Sequence, residues 1–199
     1  MSAASDILKL IKEKEIEFVD LRFTDPRGKL QHMTQDLTTI DEGFLNDGTF
    51  FDGSSIAGWK AINESDMILK PDLSRTFVDP FTSHNTLVIF CDVMDPIKKD
   101  FYERDPRSIA KKAEAYLKTT GIGDTIYFGP EPEFFIFDDV KISNTMQKVS
   151  FQVDSNEGPY NGDKEYPNGN MGHRPVVKGG YFPVPPVDSC QDLRAEALK

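Results

Sequence analysis

An α+β fold in two successive parts is the class the sequence predicts, and three observations carry it. Apolar and polar residues alternate in short runs between Val19 and Val93, the period of half-buried strands. A helix signal with a clear start lies at Asp105-Pro106. Beyond it, Tyr127-Phe128-Gly129-Pro130-Glu131-Pro132-Glu133-Phe134-Phe135-Ile136-Phe137 is rich in aromatic residues and bounded by turn residues, the pattern of a largely buried strand near a sheet edge or bulge.

Taken in order, Ser5 and Asp6 are candidate caps for a short helix whose stripe is Ile7, Leu8, Leu10 and Ile11. Val19, Leu21 and Phe23 then alternate with Asp20, Arg22 and Thr24. Asp25-Pro26-Arg27-Gly28 turns the chain into a return strand from Lys29 to Thr34, so a hairpin with one buried side is expected. A short acidic helical segment follows at Asp41 to Leu45. Met67 to Leu69, Arg75 to Val78 and Thr86 to Val93 read as three further strands. A small mixed sheet with one helix therefore accounts for residues 1 to about 95.

Asp95-Pro96 opens a polar linker that runs to Arg104, and the domain boundary is placed there, giving residues 1–103 and 104–199. Asp105 as N-cap and Pro106 at the first helical position start a helix with the stripe Ile109, Ala113, Tyr116 and Leu117, stopped near Gly121. After the aromatic stretch, Val149, Phe151 and Val153 alternate beyond a Ser143-Asn144 turn and predict another hairpin. The Gly-, Pro- and Asn-rich run from Asn156 to Asp188 reads as an ordered active-site wall. Ser189-Cys190-Gln191-Asp192 has the form of a capping box before a final helix. That helix has a start signal and no stop, so the polypeptide is expected to be part of a larger working fold.

Composition excludes some functions. With 23 Lys+Arg against 33 Asp+Glu the formal net charge is −10, which leaves no broad basic surface for nucleic acid. No apolar run approaches the length of a membrane span, and the amino terminus lacks a basic n-region, so a cytoplasmic location is expected. The 2 cysteines, Cys91 and Cys190, are far apart and lack metal-type spacing. His32, His84 and His173 have no partner at ligand spacing, and surface or hydrogen-bonded roles are expected for them. The Lys98-Lys99 and Lys111-Lys112 pairs read as solvated faces.

Two features carry candidate chemistry. In an extended strand Glu131 and Glu133 share a face, about 6.6–7 Å apart at Cα. Carboxylates among phenylalanines must be solvated, share a proton, meet basic groups or hold cations; hard oxygens at this spacing suit Mg2+ or Mn2+. Phe51-Asp52-Gly53-Ser54-Ser55-Ile56-Ala57-Gly58-Trp59 reads as an exposed loop in which an acid sits among small residues. Asp52 could serve function there, or simply close an Asx-turn with the amides of Gly53 and Ser54. Trp59 is a candidate for stacking near a ligand or for packing at an interface.

That loop with Asn63-Glu64-Ser65-Asp66-Met67, the stretch Phe128-Gly129-Pro130-Glu131-Pro132-Glu133-Phe134, and Lys178-Gly179-Gly180-Tyr181-Phe182-Pro183-Val184-Pro185-Pro186-Val187-Asp188 closely resemble bacterial type I glutamine synthetase. The resemblance covers essentially the whole chain and corresponds to the family's amino-terminal portion. It implies a β-grasp domain followed by the beginning of an antiparallel-sheet catalytic domain. It also implies ATP-dependent ligation of ammonia to glutamate through γ-glutamyl phosphate, with Mg2+ or Mn2+ as cofactor and ATP as co-substrate. By the same resemblance Glu131 and Glu133 are metal ligands and Asp52 binds and deprotonates ammonium. Ser55 and Tyr181 lend oxygens to the ammonium pocket, and Asp66 lies near it. The Asp52 loop would reach a neighbouring subunit's site in a dodecamer of two stacked hexamers. Two other readings remain open at this level: a sister ligase joining glutamate to a larger amine, and a non-catalytic β-grasp module acting in assembly or regulation.

Overall fold

A computed structural model describes residues 2–155, 157–158 and 178–198. It divides into two compact units, Met1–Phe128 and Gly129–Lys199. No helix among the described residues is long and apolar enough to cross a membrane.

The first unit opens with α1 (Ala3–Glu13), which buries Ala4, Ile7 and Ile11. Its cap is Ser2, whose side chain accepts from the Ser5 amide, so the helix begins earlier than the Ser5-Asp6 signal suggested. Ser5 sits inside the first turn and donates its hydroxyl back to the Ser2 carbonyl. The predicted hairpin is present as β1 (Phe18–Thr24) and β2 (Leu30–Asp36), antiparallel, with Asp25 closing the turn by accepting from the Arg27 and Lys29 amides. α2 (Glu42–Asp47) leads into β3 (Thr49–Asp52), and β4 (Asp66–Val78) and β5 (Thr86–Asp95) follow.

The sheet order is β2-β1-β5-β4-β3, with β1 and β5 parallel at its centre and the other pairs antiparallel. A two-residue strand, β6 (Asp100–Phe101), pairs with β5. Met67–Leu69 and Arg75–Val78, expected as separate strands, form a single β4 whose register shifts between Pro71 and Thr76. Proline has no amide to give the ladder, so a bulge beside it lets one strand continue where the pattern suggested two.

One face of this sheet carries the core. Val19, Leu21 and Phe23 meet Met67, Leu69, Leu87, Ile89, Cys91 and Val93 beneath the apolar stripe of α1 and Leu45 of α2. The opposite face is polar and charge-paired. Asp20, 3% exposed, accepts from Thr34 Oγ1 at 2.7 Å and Arg22 Nε at 2.7 Å, and His32 Nδ1 lies 2.8 Å away. Arg22 reaches on to Asp79 at 2.6 Å. His84 pairs with Glu17, so both described histidines have the hydrogen-bonded surface roles expected; His173 lies outside the described residues.

The pairing on this face has an acid consequence. Burial raises the Asp20 pKa, but the hydrogen bonds from His32, Thr34 and Arg22 outweigh it and hold the carboxyl below its ordinary 3.8. Asp79 is lowered by the Phe81 amide and Arg22, Asp72 by Ser74, and Asp95 by Lys60. A carboxyl depressed in the folded state contributes stability that is present above its unfolded pKa and lost as pH falls through the folded value. Far-UV circular dichroism and Trp59 fluorescence should therefore hold at pH 5 and fall away below about 4. A signal flat to pH 2 would contradict this account.

α3 (Pro106–Thr120) starts where the sequence placed it and ends at Gly121, whose φ of 70° is the left-handed conformation that favours glycine. Its attachment is polar rather than apolar. Arg107 bridges Asp92 and Asp72, and Lys111, expected to be solvated, pairs with Asp92. Ile109 and Tyr116 of the expected stripe are exposed.

Beyond α3 the largest difference from expectation is the stretch 127–137, whose first two residues end the first unit and whose remainder begins the second. It contains no strand, and Tyr127, Phe128 and Phe135 are each more than 85% exposed, at 91%, 86% and 87%. A strand is defined by a ladder partner, and composition alone does not supply one. The hairpin beyond it is present as β7 (Asp139–Asn144) and β8 (Val149–Asp154). α4 (Gln191–Ala197) follows without the expected capping box: Ser189 donates to Glu157 at 2.7 Å instead. Asp188 takes over the end, accepting from the Cys190 amide and from Arg194. Of the predicted wall at 156–188, residues 156 and 159–177 lie outside the described residues.

Candidate active site

The predicted site residues fall into one cluster in each unit. In the first, β3 and β4 run antiparallel and their last pairing sets Asp52 opposite Asp66. Both carboxylates are exposed there. Like charges directly across a ladder repel, so this end of the hairpin favours a cation between or beside them.

Past Asp52 the backbone turns sharply through Gly53–Ser55. Gly53 is required for that turn by space. A Cβ on it would fall 2.3 Å from Met67 Sδ and 3.1 Å from the Ser65 carbonyl, which the Gly53 amide meets at 2.7 Å. The Asx-turn reading holds in part: Asp52 Oδ1 accepts from the Ser54 amide at 2.8 Å, whereas the Gly53 amide goes to Ser65. Ser54 Oγ donates to Asp52 Oδ1 at 2.6 Å and Ser55 Oγ donates to Oδ2 at 2.9 Å. The Ser54 hydroxyl, then its amide, then the Ser55 hydroxyl hold the Asp52 carboxyl below its ordinary range. It is therefore ionised at neutral pH. With about four lone-pair sites on a carboxylate and three donors in place, Asp52 keeps accepting capacity for a further donor, chiefly at Oδ2.

Trp59, at the far end of the loop, packs inside the first unit. The residue is 5% exposed, and its ring centroid lies 5.7 Å from that of Phe23, 6.0 Å from that of Phe51 and 5.7 Å from that of Tyr102. The core has claimed it, because a large aromatic side chain buries more area there than a loop surface offers.

In the second unit, Glu133 Oε1 lies 3.4 Å from the Tyr181 hydroxyl, an interaction that brings together residues 48 apart in sequence. Glu131 is exposed and makes no ion pair or hydrogen bond among the described residues. Phe135 and Phe137 stack at 6.2 Å, as extended backbone allows for residues two apart. No group of three or more His, Cys, Asp or Glu side chains placed to hold a metal ion occurs among the described residues.

An α+β chain with a β-grasp unit, followed by sheet of a second domain, is the class this architecture defines. The family description "Glutamine synthetase, beta-Grasp domain" matches residues 15–96, and "Glutamine synthetase, catalytic domain" matches residues 103–199. The chain belongs to the glutamine synthetase family. It is 60% identical over 198 residues to a glutamine synthetase of Rhizobium meliloti, covering 100% of this chain and 42% of that protein. The glutamine synthetase of Escherichia coli K12 is 54% identical over 194 residues, covering 98% of this chain and 41% of that one. The structure superposes on a cryo-EM glutamine synthetase of Plasmodium falciparum with a TM-score of 0.74 and 24% identity, over 98% of this chain and 39% of that one; at this identity the likeness is one of fold. The chain spans 42% of the length of the first of these curated relatives and corresponds to its amino-terminal part.

Proposed function

We propose that this chain provides the ammonium-handling loop and two cation-binding carboxylates of an ATP-dependent ligase that joins ammonia to glutamate through γ-glutamyl phosphate. The observation that carries the reading is Asp52. It is an ionised, exposed carboxylate, fixed by Ser54 and Ser55 and facing Asp66 across the end of a hairpin. Ammonium has no lone pair with which to attack an acyl phosphate. A fixed carboxylate attracts the cation and accepts its proton, releasing the neutral nucleophile. Ser55 and Tyr181 add oxygen atoms to the ammonium pocket, and Asp66 adds negative charge beside it. Family membership over nearly the whole chain supports glutamate, ammonium and ATP as the substrates.

Glu131 and Glu133 fit divalent cations by donor chemistry: both are exposed hard-oxygen ligands, and the Tyr181 hydroxyl lies beside one of them. Bound Mg2+ or Mn2+ would neutralise that pair and polarise the phosphoryl oxygens of ATP. The functional division at 1–103 and 104–199 is supported by family matches ending at 96 and resuming at 103. In the assembled enzyme we place the Asp52 loop at a neighbouring subunit's site, within a cytoplasmic dodecamer of two stacked hexamers.

The test is a titration combined with an assay. With two carboxylates as ligands, the 199-residue chain should bind Mg2+ weakly, at about millimolar Kd by calorimetry, and Glu131→Gln with Glu133→Gln should abolish the signal. In a coupled ATP assay the same chain should make no glutamine, while a full-length enzyme carrying this segment should. Robust turnover by the 199-residue chain would overturn the division of labour. Metal-dependent turnover unchanged by the double substitution would overturn the ligand assignment.

A further inference from the structure

The segment between β5 and α3 reads in sequence as a connector, yet it converges on the Asp52 loop. Tyr102 Oη donates to the Trp59 carbonyl at 3.0 Å. Arg104 Nη1 donates to the Gly58 carbonyl at 2.9 Å. Lys60, next in the loop, pairs with Asp95 at 2.9 Å and lies 5.5 Å above the Tyr102 ring. These contacts hold consecutive main-chain groups at the downstream end of the loop, while the Gly53 amide and the Ser65 carbonyl hold its upstream end. Trp59 Nε1 has no partner among the described residues, so packing and these carbonyl contacts together set its position.

The connector is itself fixed. The Tyr102 amide donates to the Val93 carbonyl at 2.8 Å, and the Asp105 amide donates to the Tyr102 carbonyl at 3.1 Å. Asp105 is fully buried and accepts from the Ser108 amide and hydroxyl and from the Val93 amide. The start of α3 therefore secures Tyr102 against β5, and Tyr102 with Arg104 secures the loop.

We propose that Tyr102 and Arg104 are positioning residues that fix the Asp52 loop through the carbonyls of Gly58 and Trp59, setting where the Asp52 carboxylate meets ammonium. The proposal rests on the ammonium role of Asp52 given above. A side chain that touches no reacting atom can act this way, because a small displacement of the carboxylate weakens its hold on the ammonium cation.

Hydrogen exchange of the chain tests the clamp directly. Arg104 is exposed, so Arg104→Met removes its donor without touching the core; Tyr102→Phe removes the hydroxyl and keeps the ring. In the double variant the Ile56 and Trp59 amides should exchange about 10-fold faster, with the Leu87 to Val93 amides unchanged, and Arg104→Lys in place of Arg104→Met should restore part of the protection. In the full-length enzyme the ammonium KM should rise about 5-fold or more, with kcat and the glutamate KM within about 2-fold. Wild-type exchange at Ile56 and Trp59 overturns the clamp. Faster exchange with an unmoved ammonium KM overturns the positioning role. Asp52→Asn is measured in parallel; if that variant also leaves ammonium use unmoved, the failure belongs to the functional reading, while the exchange data still decide the clamp.

Discussion

Asp52→Asn should lower ammonium-dependent turnover of the full-length enzyme by about 10²–10⁴-fold, the range for loss of a positioned proton acceptor. Asparagine keeps the size of aspartate, and its amide oxygen can still accept from the Ser54 amide, which lies 2.8 Å from Oδ1 in the wild type. Its other terminal atom is an NH2 group that cannot accept from Ser55 Oγ, and it carries no charge to attract ammonium. The loop should therefore stay folded while both parts of the chemistry fail. If the proposed route through γ-glutamyl phosphate holds, partial reactions that need no ammonia should survive. Because the serine hydroxyls and the Ser54 amide hold the Asp52 carboxyl low, the wild-type residue is already charged throughout the neutral range. No acid limb assigned to this carboxylate should accordingly appear above about pH 4, where the fold itself is still held. Turnover within about 3-fold of wild type would remove Asp52 from the chemistry.

The elements legible in the sequence were those whose signal is local. Asp105 followed by Pro106 gave the start of α3 because one residue caps and the next is preorganised, and Gly121 gave its end. Alternation gave β1, the Asp25-Pro26-Arg27-Gly28 turn gave β2 as its return strand, and an apolar run gave β5, which is buried on both faces. The misread elements depend on distant partners. The aromatic stretch at 127–137 has strand composition, but extended pairing needs neighbours that composition does not name. The stripe on α3 is amphipathic on paper, yet the helix is attached through Arg107 and Lys111, whose acceptors Asp72 and Asp92 come from β4 and β5. Ser2 rather than Ser5 caps α1, since either serine satisfies the same local rule. In the site, Asp52 and Ser55 were visible as a loop motif, whereas the pairing of Asp52 with Asp66 needed the β3–β4 register. Tyr102 gave no signal of its role in sequence, since Phe101 beside it is an aromatic residue of the same connector and makes no such contact with the loop.

Gly48→Ala should be the most damaging single methyl in the first unit, costing about 3–4 kcal/mol in urea unfolding. Gly48 ends α2 with φ 83° and ψ −167°, a region essentially reserved for glycine. Its amide still donates to the Phe44 carbonyl at 2.9 Å, so helix closure and the change of direction fall on one residue. A Cβ there would lie 2.2 Å from the Leu69 carbonyl oxygen and 3.0 Å from Ile68 Cγ2. The oxygen belongs to β4 and cannot rotate away as a side chain would; relief requires β3 and β4 to separate at Thr49 and Leu69, the first pair of the ladder that ends at Asp52 and Asp66. Gly28 is the matched control: its φ is 82°, but a Cβ there meets nothing within 4 Å. Gly28→Ala should cost about 1 kcal/mol, the conformational penalty alone. The excess at position 48 then measures the close approach of the two strands together with the backbone strain of its ψ, and equal losses at the two positions would show that the α2–β3 junction yields without moving β4.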